Sequence, residues 1–446
     1  NGVALARYHT NGNLDSSFGM NGFVFTMIGS EGAYAYSIAI QKDGKIVIAA
    51  TSSRGSYNEF AVLRYNVDGG LDSTFDGDGI ATNSINSISA SAKSLAIQAD
   101  GKILAAGYAF NGSYNEFAIT RYNTNGSLDS SFDEDGIVTT LVGSTESRVN
   151  DIALQPDGKI VVAGYSYNGY NEIALARFNT DGSLDNSFDG DGKVTTDIRL
   201  YDEEANSLVV QPDGKIVIAG RGPNGTHNEF AIVRYNIDGS LDNSFDSDGI
   251  VMTGLSDNND GAFDLTLQAD GKIVAVGYSY QSTQFDFATL QYNTNGTLDS
   301  TFGGDGIVTT AIDSLNSFGT SVAIQADGKI ITAGFSRMWP SGYNTFSLIR
   351  YHMASSAIEN PHKLKPSLNI YPNPCYTKTS LYSNTVIHNA KIEVINYLGQ
   401  TVITKENLSG QIFTIDRGNM PAGVYYIQIT EDGQSLEINK LIFTDF

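Results

Sequence analysis

Short apolar runs alternate with turn-forming clusters along the whole chain, and no segment carries a helical period. One stretch shows the unit. Residues 151–155 read as a strand a and residues 159–163 as a strand b, with Pro156-Asp157-Gly158 between them. Proline presets φ at the first turn position, aspartate suits the second and glycine takes the left-handed third, which makes a three-residue hairpin with a bulge. Strand b is β-branched or small throughout (Ile160, Val161, Val162, Ala163), as a strand covered on both faces requires. Residues 173–178 form a strand c, a long turn rich in Asn, Asp and Gly follows, and residues 193–196 form a strand d.

The unit is copied. Gln-x-Asp-Gly-Lys-Ile recurs six times, its aspartates at Asp43, Asp100, Asp157, Asp213, Asp270 and Asp327, in steps of 57, 57, 56, 57 and 57 residues. A second string, built around Arg-aromatic and Leu-Asp-x-Ser/Thr-Phe, keeps the same step. Its arginine stands at Arg7, Arg64, Arg121, Arg177 and Arg234, gives way to Gln291, and returns at Arg350. Four short strands per unit, repeated in register, predict an all-β fold in which each unit is one blade of a β-propeller. A stacked solenoid is the rival, but its turns are shorter and its ends leave edges open. The blade number is six or seven. Residues 1–7 align with 171–177 inside a strand c, and the last repeat closes after strand c at 346–351. Borrowing strand d at 23–26 closes six blades; an upstream segment holding d, a and b would make seven, the favoured count.

The residues that recur are Gln155, Asp157, Gly158, Lys159, Ile160 and Gly164, then Arg177, Asp181, Gly182, Leu184, Asp185 and Phe188, with their counterparts. In this the chain resembles, over residues 1–352, the delta-60 repeat, a propeller-type family of secreted bacterial proteins. The resemblance implies the fold and export, and no activity.

Composition changes at residues 353–366, a linker, and a different strand series occupies 367–446. Alternation over 391–396, 401–404, 423–429 and 436–443, with an Asp432-Gly433 turn, predicts a small β-sandwich of short strands. Its marks are Tyr371-Pro372-Asn373-Pro374, the turn at Gly399, Gly423 and Tyr425 in Pro421-Ala422-Gly423-Val424-Tyr425-Tyr426, and Lys440-Leu441 near the end. They resemble the C-terminal sorting domain of type IX secretion substrates. That resemblance implies a secreted protein, or one on the outer cell surface of a Gram-negative bacterium. It also implies handling by the type IX translocon and an outer-membrane shuttle protein through residues 367–446.

Charge narrows the partners. A net charge of −22 over 446 residues argues against nucleic acid, which needs a cationic surface, and no apolar run is long enough for membrane insertion as a helix. Residues 366–446 carry 5 Lys+Arg and 7 Asp+Glu, so nearly all of the excess lies in the repeats and linker. Much of it is turn chemistry copied from blade to blade. The run Asp72-Ser73-Thr74-Phe75-Asp76-Gly77-Asp78 has the look of part of a calcium loop, but the further carboxylates such a loop needs are missing, and turn chemistry accounts for it. No cofactor is expected. Recurrent pairs such as Arg64 with Asp72, Arg121 with Asp129 and Arg177 with Asp185 point to a two-pronged contact that holds the c–d turn.

Neither zinc-ligand spacing nor a nucleophile motif occurs, so an enzyme is not expected. The b–c loops differ between units and carry aromatics: Tyr57, Tyr114, Tyr170, Tyr280, and Trp339 with Tyr343. Aromatics beside Asn and Ser suit stacking on sugars or anchoring a protein. The expected function is therefore binding or adhesion, with a glycan or protein as the propeller's ligand. Two alternatives stand: a glycan-active enzyme, marked by clustered carboxylates in a central pocket, or a purely structural surface component.

Overall fold

The computed structural model describes every residue except 1, 87, 200–201, 282, 313–315, 338–343, 352–367, 372, 397–399, 432–433 and 446. It divides into two compact units, Asn1–Ser355 and Ser356–Phe446.

The first unit is a ring of antiparallel sheets. Among the described residues five carry four strands each, in sequential order a-b-c-d; one sheet, at residues 316–351, carries three, and one, at residues 3–26, carries two. In the blade of residues 146–196, strand a is Glu146–Leu154, b is Ile160–Tyr167, c is Asn171–Phe178 and d is Lys193–Thr196. Gly158, at φ 89°, closes the a–b hairpin, and Gln155 N–H donates to Lys159 C=O at 2.9 Å. Strand b, as expected, is buried along Ile160, Val161, Val162 and Ala163. Strand a is longer than its alternation indicates, because it starts in polar residues at Glu146 and breaks register between Val149 and Asp151. The same break recurs in the other five first strands.

Each blade packs on the next through shared apolar clusters. Val47, Phe60 and Phe75 of one blade pack with Leu95, Ile103 and Tyr122 of its neighbour. A fully buried phenylalanine contributes about 2 kcal/mol, and five of these clusters hold one or more, Phe18, Phe60, Phe117, Phe188 and Phe230 among them.

A polar clamp explains why the repeat strings recur. Arg177 Nε donates to Asp185 Oδ2 at 2.6 Å, Nη2 to Ser187 Oγ at 3.0 Å, and Nη1 to the carbonyl of Ile237 in the next blade. Its guanidinium also lies 4.6 Å from the Phe188 ring centroid. The motif lysine joins the same carboxylate, Lys159 Nζ standing 2.9 Å from Asp185 Oδ2. Arg64 with Asp72 and Arg121 with Asp129 repeat this arrangement. The expected two-pronged contact is therefore corrected: one prong reaches the carboxylate, and the other two reach a hydroxyl and the neighbouring blade. Where Gln291 replaces the arginine, it keeps only Asp299, at 3.1 Å, and Gln268.

The interblade prong also shows how the ring ends meet. Arg7 reaches Val67, Arg64 reaches Thr124, Arg121 reaches Thr180 and Arg234 reaches Thr294, each in the following sheet. Arg350, in the three-stranded sheet, reaches back to the carbonyl of Thr10 at 2.6 Å. The ring thus has seven sectors, the two-stranded sheet following the three-stranded one.

Among its described residues the second unit holds one connected five-stranded sheet. Two strands are long rather than short, Lys378–Asn396 and Thr401–Asp416. Register breaks between Tyr382 and Ala390 bend the pair. Both halves then face one core containing Leu381, Phe413, Ile392, Ile427, Leu441 and Phe443.

Candidate functional site

The first strands surround the ring axis. Four residues before each motif glutamine stand Ser37, Ser94, Asp151, Ser207, Asp264 and Ser321; these, with Tyr36, Lys93, Asn150 and Phe263, line one cavity of about 790 Å³. The register break is what allows it, since it turns two consecutive residues, such as Asn150 and Asp151, toward the axis. It also brings backbones together. A Cβ at Gly164 would lie 1.9 Å from the Arg148 carbonyl oxygen, so this motif glycine is required by close approach.

The axial residues form a hydrogen-bonded girdle. Asp151 accepts from Ser94 Oγ at 2.6 Å, from Ser207 Oγ at 3.0 Å and from Leu208 N–H at 2.8 Å. Asp264 lies 2.8 Å from the same Ser207 Oγ and accepts from Val322 N–H at 2.8 Å. One hydroxyl has one proton, so Ser207 can donate to only one of these carboxylates. The other contact needs a proton on a carboxyl. Accordingly, burial pushes Asp264 up to about 6, with the Asp151 charge adding to the rise against the hydrogen bonds of Val322 and Ser207. Burial likewise raises Asp151.

Above the girdle, on the side of the b–c and d–a loops, residues that differ from blade to blade meet within blades and across the seams. Thr51 Oγ1 lies 2.7 Å from Ser91 Oγ. Arg148 stands 4.7 Å from the Tyr108 ring centroid and 2.6 Å from Glu146. Arg221 Nη2 donates to Glu204 Oε2 at 2.9 Å. Tyr278 packs on Phe318 at 5.7 Å, and Phe318 on Phe335 at 5.2 Å. Lys93 lies 3.7 Å from the Tyr36 centroid, and burial lowers its pKa. The belt is thus cationic and aromatic on one arc and purely aromatic on the other.

Of the loop aromatics expected to bind ligand, Tyr57 and Tyr114 are exposed, while Tyr170 is half-buried with its hydroxyl 3.1 Å from Asp197. Tyr280 packs on Phe285 at 5.0 Å. They sit in four separate hairpins, and among the described residues no ring contact joins any two of them. Trp339 and Tyr343 lie outside the described residues. The belt residues were missed because they fall inside strands. Their signal was their variation at fixed offsets within a unit otherwise copied.

The carboxylates of the Asp-rich turn serve the turn. Asp72 accepts from Thr74 N–H and Oγ1 at 3.1 and 2.7 Å, and Asp78 accepts from Ile80 N–H at 2.9 Å.

In the second unit the marker residues converge. Asn373 Nδ2 donates to Lys440 C=O at 2.7 Å, and Ile442 N–H donates to Asn373 Oδ1 at 2.9 Å. The Tyr425 hydroxyl donates to Pro421 C=O at 3.0 Å, and its ring packs on Phe443 at 5.6 Å. Gly423 opens the strand that carries Tyr425, and Pro374 follows Asn373 at the unit's entry. Tyr371 ends a strand; Pro372 and Gly399 lie outside the described residues.

Comparison with known sequences agrees with both halves. Residues 1–18, 41–75, 98–132, 155–188, 211–245 and 268–302 match the family described as "Domain of unknown function (DUF5122) beta-propeller". Residues 369–444 match "Secretion system C-terminal sorting domain", and residues 136–170 match "WD domain, G-beta repeat". No curated protein matches the chain. Among solved structures, a protein of unknown function from Dyadobacter fermentans is similar at 11% identity and TM-score 0.42, over 73% of this chain and 96% of that one. The extracellular domain of a putative hybrid two-component system from B. thetaiotaomicron is similar at 13% identity and TM-score 0.31, over 98% and 72%. The polysaccharide lyase Uly1 is similar at 11% identity and TM-score 0.37, over 95% and 94%. At these TM-scores the likenesses say nothing about substrate.

Proposed function

This chain is a β-propeller of the delta-60 (DUF5122) repeat carrying a type IX sorting domain, which marks it for secretion to the cell surface or extracellular space, and from that premise we propose that its propeller is a glycan-binding module. The observation that carries the reading is the belt. The turn motifs are copied from unit to unit while the strands at the axial face diverge, and there Arg148 stands beside Tyr108 and Arg221 beside Tyr278. Aromatic faces stack on sugar rings, and guanidinium groups take carboxylates through paired hydrogen bonds, so acidic polysaccharide is the class that fits. The sorting domain engages the translocon, and we place the shuttle protein and the outer surface of a Gram-negative bacterium in the same route.

The test is a polysaccharide panel, acidic and neutral, screened against the full chain and against Tyr108→Ala/Arg148→Ala. Binding of acidic members that falls at least about tenfold in the variant supports the reading. No binding to any member, or equal binding by both proteins, would overturn it.

A second reading draws on the axial carboxylates. Asp151 and Asp264 share a hydroxyl, so their nearest oxygens lie within about 6 Å, near the spacing of a glycosidase acid and nucleophile. Both are also tied to backbone amides of adjacent blades, which favours a structural role. Release of oligosaccharide by the wild-type chain, lost in Asp264→Asn, would establish the enzymatic alternative.

A further inference from the structure

One axial position carries unlike side chains from blade to blade. The residue just before the girdle position is Tyr36, Lys93, Asn150, Asn206, Phe263 and Thr320 in successive first strands, and all six line the axial cavity. This tier stands between the belt, whose Arg148 and Glu204 lie two residues earlier in their strands, and the girdle one residue later.

Lys93 is the outlier in charge. The motif lysines Lys45, Lys102, Lys159, Lys215 and Lys272 each stand 2.8–3.0 Å from a clamp aspartate. In the belt, Arg148 has Glu146 and Arg221 has Glu204. Lys93 is half-buried, and among the described residues neither a carboxylate nor a hydrogen-bond acceptor meets its ammonium. It faces rings instead, 3.7 Å from the Tyr36 centroid and 5.8 Å from that of Tyr108. The Arg148 guanidinium lies 4.7 Å from the same Tyr108 ring. A chain of net charge −22 thus gathers two cations around one ring and leaves one of them without a counter-charge. Partial burial of an unpaired ammonium costs free energy that an anion in the cavity recovers.

The two amides of the tier are a second observation. Asn150 Nδ2 donates to the Ala205 carbonyl at 2.9 Å, and Asn206 Nδ2 to the Ala262 carbonyl at 2.8 Å, each in the next blade. A carbonyl partner takes only a donor, so it fixes which way each amide is turned and leaves Oδ1 as an acceptor. Among the described residues no group donates to either Oδ1. The tier therefore sets an ammonium without acceptors beside two carbonyl oxygens without donors. A simple anion would match only the ammonium. A carboxylate carried on a polyhydroxyl ring matches all three.

We propose that Lys93, Asn150 and Asn206 form a subsite for a single uronic acid residue, its carboxylate on the ammonium and two of its hydroxyls donating to the amide oxygens. The inference rests on the glycan reading above and narrows it: the belt holds neighbouring sugars, and this tier reads the charge. The girdle orients the sugar. Ser94 follows Lys93, whereas the carboxyl groups of Asp151 and Asp264 follow Asn150 and Phe263, so the ligand's anion is drawn to one side of the axis and its hydroxyls to the other.

The experiment titrates the full chain with methyl glucuronide and with methyl glucoside, which differ by a carboxylate against a hydroxymethyl group, using ligand-observed NMR. The wild type should bind the acid at least about tenfold more tightly. Lys93→Met keeps the aliphatic stem; it should bring the two sugars within about twofold of each other at an unchanged melting temperature. Lys93→Arg should keep the preference. Equal binding of both sugars by the wild type overturns the proposal without recourse to a variant, and so does a preference that survives Lys93→Met. In either case the glycan reading stands if polysaccharide binding is still lost in Tyr108→Ala/Arg148→Ala. A tetraglutamate peptide that binds as tightly as the glucuronide, and no longer binds Lys93→Met, would assign the subsite to an acidic protein segment and overturn the proposal as well. Binding of neither sugar sinks it, and an unresponsive polysaccharide panel alongside sinks the glycan reading too.

Discussion

On the face of the ring built by the a–b and c–d turns, the same side chains return in four successive blades: a motif lysine, an aspartate, an arginine with one arm in the next blade. On the opposite face the equivalent seams hold a hydroxyl pair, two cations over tyrosines and an edge-on aromatic contact. Both faces join blades, so cohesion alone does not separate them. What separates them is whether one solution is copied or several are tried. Copying is what a repeated load requires. Variation at positions with the same backbone is what the proposed glycan, a single asymmetric ligand, would require.

The two sets of aspartates differ in the same way. Burial alone would raise Asp185, but hydrogen bonds from Lys159 and Ser187 and the Arg177 charge hold its carboxyl well below the ordinary carboxylate range. Asp264 is held up, at about 6. The clamp aspartates therefore add stability that is fully present above about pH 4 and is lost as pH falls through their low folded values. Asp264 does the reverse. Its folded form keeps a proton that the unfolded chain releases near pH 4, so its contribution is full below that pH and is lost as pH rises through about 6.

The comparison breaks first at the clamp. Arg177→Ala leaves Asp185 buried with one cation and cuts the link to the next blade; it should cost about 3 kcal/mol, read by denaturant unfolding at pH 7. A cost below that of any axial substitution would invert the argument. Next comes pH. Between pH 4 and 7 the wild type should lose about 2–3 kcal/mol through Asp264, and Asp264→Asn should flatten that slope in parallel titrations of stability. Smaller again, Arg148→Ala should cost about 1 kcal/mol of stability while removing most of the polysaccharide affinity, a split that melting and binding measured on one sample would reveal. Smallest, Tyr57→Ala should change stability by no more than about 0.5 kcal/mol, because the ring stands exposed at a hairpin tip.

How far these features could be read from sequence follows from what each depends on. The a–b hairpin was legible because Pro156-Asp157-Gly158 encodes its own dihedrals, and strand d because Lys193–Thr196 is short and bounded by turn residues. The first half of strand a was not. Glu146, Arg148 and Asn150 look like a solvated loop, and their strand character comes from the axis, where six first strands pack side by side. The Arg177–Asp185 pair was visible as a recurrence, but the arm reaching Ile237 was not, since its acceptor is a backbone carbonyl that any residue supplies. Ring order had the same limit: nothing in the identity of Thr10 marks it as the partner of Arg350. The site was illegible for a related reason. Tyr108 and Arg148 belong to different repeats and come together only when the ring forms.

The tail carries one more consequence. Asn373, at the entry of the second unit, finds both of its side-chain partners on Lys440 and Ile442, 67 and 69 residues further along the chain. One amide thus buckles the first segment of this unit to its final strand, so loosening either end should loosen the other.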